Sequence, residues 1–237
     1  MVSEFPVFKS HEYPISNTVK KYVCHSRKVL ELAALYGWEP GARYTNLRDV
    51  RGVSQLGFLD INWKDYDFER HLAAAKAYRP EVTVAQDVVD RAELSKILDQ
   101  AERLSEYANT VIVVPKDLRL AEYLTSLIPS RYRLGYSVPT RYGGTEIPIS
   151  AFGQREIHLL GGRPDVQRDL ANRLNVASLD TNRFTLDAGF GDYFDGEKFR
   201  PHPTGGYEVC LKASLENMNA IWQNYRHVAA TMEKESE

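Results

Sequence analysis

Short apolar segments alternate with longer amphipathic segments along most of this chain. Six of the short segments are apolar at nearly every position over about five residues, a pattern typical of parallel strands covered on both faces. These segments are residues 56–60, 82–86, 110–115, 132–136, 156–160 and 176–180. Weaker strand candidates lie near Tyr22 and Tyr207, and they would bring the number of strands to eight.

Helical patterns fill the intervals between these strands. Apolar residues recur at i, i+3 and i+4 over residues 89–108, 117–128 and 164–174, which predicts three helices with one buried face each. Asp117 is placed to cap the second of these helices, and Pro164 suits the first turn of the third. A long terminal helix is predicted from an apolar stripe formed by Leu215, Met218, Ile221, Trp222, Tyr225 and Ala229.

Strands that alternate with helices in this way predict an α/β fold with a parallel sheet. The chain has no Ser/Gly-rich linker, low-complexity tract or repeat of fixed period, so we expect residues 1–237 to form one domain. Eight strands favour a single, shortened (β/α)8 barrel that carries a long C-terminal helix. An open, doubly wound sheet is the alternative, because periodicity does not reveal whether a sheet closes.

Composition and charge are those of an ordinary globular protein. Hydrophobic residues make up 43% of the sequence and charged residues 26%, and the formal net charge is −2. No strongly basic field therefore points to nucleic acid, although arginines cluster in the second half of the chain. No apolar run approaches the roughly 18–20 residues that span a bilayer, and residues 1–14 do not resemble a secretory signal. We expect a cytoplasmic protein that makes no membrane contact.

The two cysteines, Cys24 and Cys210, lie far apart in the sequence. Neither stands at a metal-ligand spacing from a histidine, and the chain contains no CxxC motif. We therefore expect two inert thiols rather than a disulfide or a zinc site.

Carboxylates follow several of the predicted strands. Asp60 ends the first apolar segment, Asp87 and Asp90 follow the second, and Asp180 ends the last. Active sites of parallel α/β folds form at the carboxyl ends of the strands, so Asp60, Asp87 and Asp180 are expected to converge. They could bind a divalent metal, act as acid, base and nucleophile at an acetal carbon, or merely cap helices. Asp180 fits a cap least well, because no obvious helix start follows it.

A glycine pair follows the strand predicted at residues 156–160. Gly161 and Gly162 precede Arg163 and Pro164 at the start of a predicted helix, where backbone N–H groups could hold a phosphate. The same glycines would allow strand and helix to pack closely, and the sequence leaves both interpretations open.

The order and spacing of these segments resemble those of the tRNA-guanine transglycosylase superfamily. The stretch from Ile157 to Asn182 is similar to the family's glycine-containing strand, the helix after it and the strand that ends in the nucleophile. Pro115-Lys-Asp-Leu-Arg119 resembles the family's "VYPDLR" helix start, and Ala85-Gln-Asp87 resembles its "AFDE" strand end. Phe58-Leu-Asp60 resembles the strand end of its "LTDSGGF" motif. The likeness covers roughly residues 55–230.

This resemblance implies an exchange of bases in a nucleic acid. Asp180 would be the nucleophile that attacks C1′ and forms a covalent glycosyl-enzyme, and Asp60 would be the general acid/base. The base would be bound by Asp87, Gly135 and Tyr136, with Asp87 accepting from a guanine-like edge. Tyr136 and Trp63 could stack on the base or belong to the core. The nucleic-acid backbone would be contacted by Gly161, Gly162, Arg163 and Arg183.

The alternative for Arg183 is a salt bridge to Asp187 or Asp180. The sequence also departs from the family. Ile61-Asn62-Trp63 stands where the family has SGGF, and the zinc-binding cysteines and histidine are missing, with Glu216 at the histidine position. We therefore expect no zinc and no other cofactor, and a Glu216 that helps to start the terminal helix.

A short chain without zinc most resembles the virus-encoded members that place 7-deazaguanine bases in DNA. The resemblance thus implies a 7-deazaguanine base and a nucleic acid as partners, with DNA favoured over tRNA, in the host cytoplasm if the protein is viral.

Two other functions stay open at the level of sequence. A metal-dependent (β/α)8 hydrolase would use Asp60, Asp87 and Asp180 as ligands, although the nearby sequence offers only His158, inside a strand, as a histidine partner. A catalytically inactive barrel would bind nucleic acid or a partner protein without using these carboxylates. Contact between Asp180 and Asp87 around an open pocket would favour an enzyme.

Overall fold

Eight parallel strands close into a barrel in chain order, which confirms the predicted fold class. The computed structural model describes residues 19–141, 143–223 and 225. The last strand pairs with the first through Lys20 opposite Ser178 and Tyr22 opposite Asp180, so the sheet has no free edge. The strands are β1 (Lys20–Cys24), β2 (Glu39–Arg43), β3 (Phe58–Asp60), β4 (Val82–Val84), β5 (Thr110–Val113), β6 (Arg133–Ser137), β7 (Glu156–Leu160) and β8 (Asn175–Asp180).

Helices of unequal length surround the barrel. The α-helices are α1 (Arg27–Ala34), α2 (Phe68–Tyr78), α3 (Leu94–Ser105), α4 (Leu124–Leu127), α5 (Pro164–Leu170), α6 (Arg183–Ala188) and α7 (Tyr207–Gln223). Short 3-10 helices cover Arg48–Val50, Arg91–Glu93, Leu118–Tyr123 and Ile149–Phe152. An antiparallel hairpin, β9 (Asp192–Phe194) and β10 (Phe199–Pro201), lies between α6 and α7. The connections from β2 to β3 and from β6 to β7 contain only a 3-10 helix, which is how this barrel is shortened.

The eighth strand is not the one that the sequence predicts. Tyr207 begins α7 rather than a strand, and the missing strand is β2, Glu39-Pro-Gly-Ala-Arg43. Its alternate residues Glu39, Gly41 and Arg43 face the barrel interior, so β2 has no apolar run to reveal it.

The predicted helices need smaller corrections. Residues 117–128 form a 3-10 helix and a single turn of α-helix, although the Asp117 carboxylate caps this segment by accepting the N–H of Arg119 at 2.9 Å. Pro164 does occupy the first turn of α5. Glu216 lies in the middle of α7 and accepts from the Tyr36 hydroxyl, so it does not start that helix, and Glu208 is the acid in its first turn. Ala229 lies outside the described residues.

Two packed layers hold the barrel together. Inside it, the rings of Tyr22, Phe58 and His158 stack on one another, with centroids 5.1 to 6.1 Å apart. Between strands and helices, buried side chains such as Ile97 and Leu104 form the larger outer core. No helix among the residues described here is both long and apolar enough to cross a membrane.

The terminal helix α7 contacts parts of the chain that are far apart in sequence. The Trp38 indole N–H donates to Asn219 at 3.2 Å, and the Asn219 amide donates to the carbonyl of Tyr36 at 2.7 Å. Just past the helix, the Tyr225 hydroxyl accepts the Val176 N–H at 2.9 Å and lies 3.2 Å from the Leu174 carbonyl. The segment through Tyr225 therefore fastens the first and the last units of the barrel to each other.

The packing around Gly135 yields a test of the barrel interior. A methyl group at Gly135 would lie 2.7 to 2.8 Å from the side chains of Val114, Ile112 and Leu160. Gly135→Ala should therefore lower the free energy of unfolding by about 1–3 kcal/mol, because branched side chains on both neighbouring strands would have to move. Urea unfolding would measure the loss.

Gly189→Ala is the matched control. Its φ of −62° is ordinary for alanine, and the nearest atoms to the new methyl are carbonyl oxygens of the preceding turn. This variant should unfold within about 0.5 kcal/mol of the wild type. Equal stability of the two variants would contradict the packing described for β6.

Candidate active site

The carboxyl ends of β8, β1, β2 and β3 form one side of the barrel mouth. These neighbouring strands end in Asp180, Cys24, Arg43 and Asp60 in that order, and alternate residues below them point into the barrel. The side chains of Asp60 and Asp180 are largely buried, with 21% and 15% of their surfaces exposed. The fold thus brings two of the three predicted carboxylates into one small polar region.

Asp180 is held by donors from β7 and the loop that follows it. Its Oδ1 atom accepts the backbone N–H of Gly161 at 3.1 Å and lies 3.2 Å from Nε2 of His158. The Gln167 amide donates to the Asp180 carbonyl at 2.8 Å and to the Gly161 carbonyl at 2.7 Å, which locks the strand end to the loop. The helix α6 does begin three residues later, contrary to expectation, but its first N–H bonds the Thr181 hydroxyl at 3.0 Å and not Asp180.

Asp60 lies where its charge is unfavourable. Its Oδ1 accepts the N–H of Ile61 at 2.8 Å, and its Oδ2 lies 3.4 Å from Nε of Arg43. Burial, followed by the negative charge of Asp180, raises the pKa of Asp60 to about 7 against the opposing effect of Arg43. At neutral pH this side chain can therefore both give and take a proton.

Cys24 lies beside the same two carboxylates. Burial, then the charges of Asp60 and Asp180, raise the pKa of its thiol well above the ordinary value. Cys24 is therefore held as a thiol at neutral pH, in line with the expectation of an inert cysteine. Its backbone N–H donates to the side chain of Asn182 at 3.1 Å, which ties the end of β1 to the segment after Asp180.

Asp87 belongs to a separate ion pair. It follows β4, and its Oδ2 atom lies 2.8 Å from Nζ of Lys116, which follows β5. Burial raises the pKa of Asp87, and the Lys116 ammonium opposes that shift. Among the described residues the charged partner of Asp87 is Lys116 rather than Asp180. Asp90 has the role of a cap, since its side chain accepts the Ala92 N–H at 2.9 Å.

The other predicted base-binding residues lie on both sides of the barrel wall. Gly135 faces the interior, and Tyr136, the next residue, points the opposite way and packs edge-on against Phe152 with 5% of its surface exposed. Tyr136 is therefore a core residue rather than a stacking platform at the mouth. Trp63, three residues after Asp60, has 59% of its surface exposed.

The residues predicted to contact phosphates have partners within the chain. The Gly161 N–H is bonded to Asp180, and Gly162, at φ +85°, lies so close to Val138 that a Cβ would collide with it. Arg163 pairs with Asp165 at 3.0 Å, and Arg183 pairs with Asp187 at 2.5 and 2.7 Å. The glycine pair thus serves close packing and the binding of Asp180, and Arg183 forms the salt bridge that was its alternative role.

Sequence reasoning missed several polar residues around the two carboxylates, and it considered His158 only as a metal ligand. His158, Ser178 and Arg133 point into the barrel, and Arg43 and Lys116 neutralise charge at the mouth. One signal was available: polar residues recur at every second position of strands that otherwise read as apolar, as in Ser178 and Asp180. In a closed barrel, such residues share the interior face.

A metal centre finds no support in the geometry of the part of the chain that is described. Within those residues, no three His, Cys, Asp or Glu side chains are grouped so that they could hold a metal ion. Asp60, Asp87 and Asp180 in particular do not form one ligand set, because Asp87 is paired with Lys116.

Comparison with known families places most of the barrel in one group. Residues 33–223 match the model of a family of unknown function, DUF6610. The chain belongs to this family. No curated protein matches its sequence. The matched residues include β2 through β8 and all of α7, so the match covers Asp60, Asp87, His158 and Asp180 but not β1 with Cys24.

The raised pKa of Asp60 predicts how stability depends on pH. The folded protein binds the proton of Asp60 more tightly than the unfolded chain does. Protonated Asp60 therefore adds to the free energy of unfolding in full below the unfolded pKa near 4, and this contribution is lost as pH rises to about 7. Asn at this position cannot ionise. The stability of Asp60→Asn relative to wild type should therefore increase by up to about 4 kcal/mol between pH 4 and pH 8.

Urea unfolding at the two pH values would measure this change. Asp180→Asn is the companion variant, because it removes one charge that raises the pKa of Asp60 and leaves burial in place. The difference between Asp60→Asn and its parent should be smaller in that background. Parallel pH curves for wild type and Asp60→Asn would show that Asp60 does not titrate as described.

Proposed function

We propose that this protein is a base-exchange transglycosylase. It replaces guanine in a nucleic acid, with DNA favoured over tRNA, by a 7-deazaguanine derivative through a covalent glycosyl ester of Asp180. The proposal rests on the resemblance to the tRNA-guanine transglycosylases and on the chemistry that the barrel mouth can perform.

The observation that carries the proposal is the unequal pair of carboxylates. Asp180 is surrounded by donors, with the Gly161 N–H and the His158 ring both on Oδ1. Asp60 is buried beside it, with a pKa of about 7. Pairs of carboxylates whose environments differ in this way commonly divide the roles of nucleophile and proton carrier at an acetal carbon. The N-glycosidic carbon C1′ of a nucleotide is such a carbon.

The two half-reactions balance with these residues alone. An oxygen of Asp180 forms a bond to C1′ as the bond from C1′ to the guanine nitrogen breaks, and Asp60 gives its proton to the departing base. The incoming deazaguanine then transfers its own ring N–H proton to Asp60, attacks C1′ and releases Asp180. The sugar keeps its configuration because C1′ is inverted twice.

The ion pair of Asp87 and Lys116 supports recognition of a guanine-like edge. Such an edge carries a carbonyl acceptor beside two N–H donors, which match an ammonium and a carboxylate held 2.8 Å apart. Asp87 remains the proposed reader of the N–H groups, and Lys116 would donate to the carbonyl. Adenine has the reversed pattern, with an amino group in place of the carbonyl and a bare ring nitrogen in place of N1–H, so its donor would face the ammonium and its acceptor the carboxylate.

An exposed cation–aromatic pair next to the site supports a nucleic-acid partner. Trp63 is 59% exposed in the loop after Asp60, and the Lys64 ammonium lies 5.2 Å from the centre of its ring. Exposed aromatic rings stack on unpaired bases, and lysines contact the backbone between them. In duplex DNA the target nucleotide would have to leave the base stack, at a cost of a few kcal/mol.

Substitution of the two carboxylates tests the proposed roles. Asp180→Asn should reduce the exchange of labelled guanine by at least about 10³-fold, since a neutral amide does not attack C1′. Asp60→Asn should reduce it by about 10²–10⁴-fold. Since Asn can neither give a proton to guanine nor accept one from the incoming base, this variant should form the glycosyl-enzyme slowly and then retain it, and denaturing mass spectrometry would detect the ester.

The matched control is Asp165→Asn, a carboxylate of α5 that pairs with Arg163 at the surface. It should exchange guanine at close to the wild-type rate. Near-normal exchange by Asp180→Asn would show that this residue is not the nucleophile.

The choice of nucleic acid has its own test. The wild-type protein, incubated with labelled guanine, should incorporate label into single-stranded or duplex DNA faster than into tRNA. Exchange in tRNA alone would reject the preference for DNA and keep the transglycosylase assignment. Release of free base without incorporation would identify water as the acceptor and reject base exchange.

A further inference from the structure

A buried chain of hydrogen bonds runs up the inside of the barrel to Asp180. It begins at Arg133, which pairs with Glu156 at 2.9 Å near the amino ends of β6 and β7. Arg133 donates to the Ser178 hydroxyl at 3.1 Å, and Ser178 lies 2.8 Å from Nδ1 of His158. The other ring nitrogen, Nε2, lies 3.2 Å from Oδ1 of Asp180.

The chemistry of each group fixes the direction of this chain. A guanidinium only donates, so the Ser178 oxygen accepts from Arg133, and at the other end the carboxylate of Asp180 only accepts, so it accepts from Nε2–H of His158. Burial lowers the pKa of His158, which keeps the ring neutral, and a neutral imidazole carries one hydrogen. That hydrogen is the one on Nε2, so Nδ1 carries a lone pair and accepts the hydroxyl hydrogen of Ser178.

The ring itself is held in place by packing. His158 has no exposed surface and stacks on Phe58 at 5.1 Å and on Tyr22 at 6.1 Å between centroids. The Nε2–H therefore has one direction available to it. Together with the Gly161 N–H, it places two donors on the same oxygen, Oδ1. Among the described residues, Oδ2 of Asp180 accepts no hydrogen bond.

We infer that His158 is a positioning residue, whose Nε2–H, held in that tautomer by Ser178, orients the Asp180 carboxylate so that Oδ2 is left for the reacting carbon. The inference rests on the proposed function for its catalytic meaning. An oriented carboxylate oxygen spares the reaction the cost of fixing its rotation, so loss of the donor lowers kcat more than it raises KM. The merely structural alternative is a histidine whose polar atoms are satisfied within the core.

The first experiment is a set of variants at two positions. His158→Gln places an amide N–H near the position of Nε2 and keeps a donor for Asp180. His158→Leu fills the space of the ring with an apolar side chain and removes the donor. In exchange assays, His158→Gln should retain kcat within about fivefold, and His158→Leu should lose about 10²-fold in kcat with KM within about threefold. Equal losses in the two variants, or near-normal kcat in His158→Leu, would overturn the inference.

Ser178→Ala separates positioning from packing. Without the Ser178 hydroxyl, the ring of His158 can place its hydrogen on Nδ1 and turn a lone pair towards Asp180, so kcat should fall about tenfold. In a His158→Gln background the same substitution should cost little, because glutamine has no tautomer to lock. An equal loss of kcat in both backgrounds would mean that Ser178 acts only through packing and not through the tautomer of His158. Thermal melting of each variant identifies any loss that is due to unfolding.

A second measurement does not depend on activity. Nitrogen-15 NMR of the histidine rings distinguishes the two tautomers, and the His158 signals are those that disappear in His158→Gln among the six histidines of the chain. We expect hydrogen on Nε2 in the wild type and a mixture of tautomers in Ser178→Ala. A wild-type ring with hydrogen on Nδ1 would overturn the inference whatever the activity. Absent exchange with hydrogen on Nε2 would reject the proposed function and support the orientation of Asp180 by His158.

Discussion

Burial of negative charge in the barrel mouth is the constraint on which the rest of this structure depends. Asp60 and Asp180 lie in a region where carboxylates are poorly solvated, and each requires compensation. Asp180 receives donors from Gly161 and His158, and Asp60 has Arg43 nearby and a raised affinity for a proton. Charged and neutral groups of the interior therefore donate hydrogen bonds to these carboxylates or balance their charge.

The compensation extends well below the mouth. His158 can donate to Asp180 because Ser178 bonds its other nitrogen, and Ser178 is in turn bonded by Arg133. Arg133 is balanced by Glu156, where the strands begin. The interior of this barrel is therefore a polar column flanked by stacked rings, and the apolar core that supplies most of the hydrophobic stabilisation lies outside the strands.

The apolar strand pattern predicted the barrel well because both faces of most strands are buried. The same pattern failed at β2, where Glu39, Gly41 and Arg43 line the polar interior and leave no apolar run. Asp60 and Asp180 could be proposed from the sequence, since strand ends mark the mouth of such a fold. The contact of His158 with Asp180 could not, because it depends on which strands become neighbours and on the irregular register between Ile157 and His158.

The attachment of α7 has a consequence for how the chain reaches its fold. The hydrogen bond from Trp38 to Asn219 joins residues that are 181 positions apart, and β1 pairs with β8. Both contacts join segments that leave the ribosome at very different times. Contacts of such long range slow folding, and β1 keeps an unpaired edge until the last strand is available. A sheet formed by the earlier strands alone would be open at two edges, β1 and its last strand, and both edges would stay exposed to aggregation or to chaperones until β8 pairs with β1.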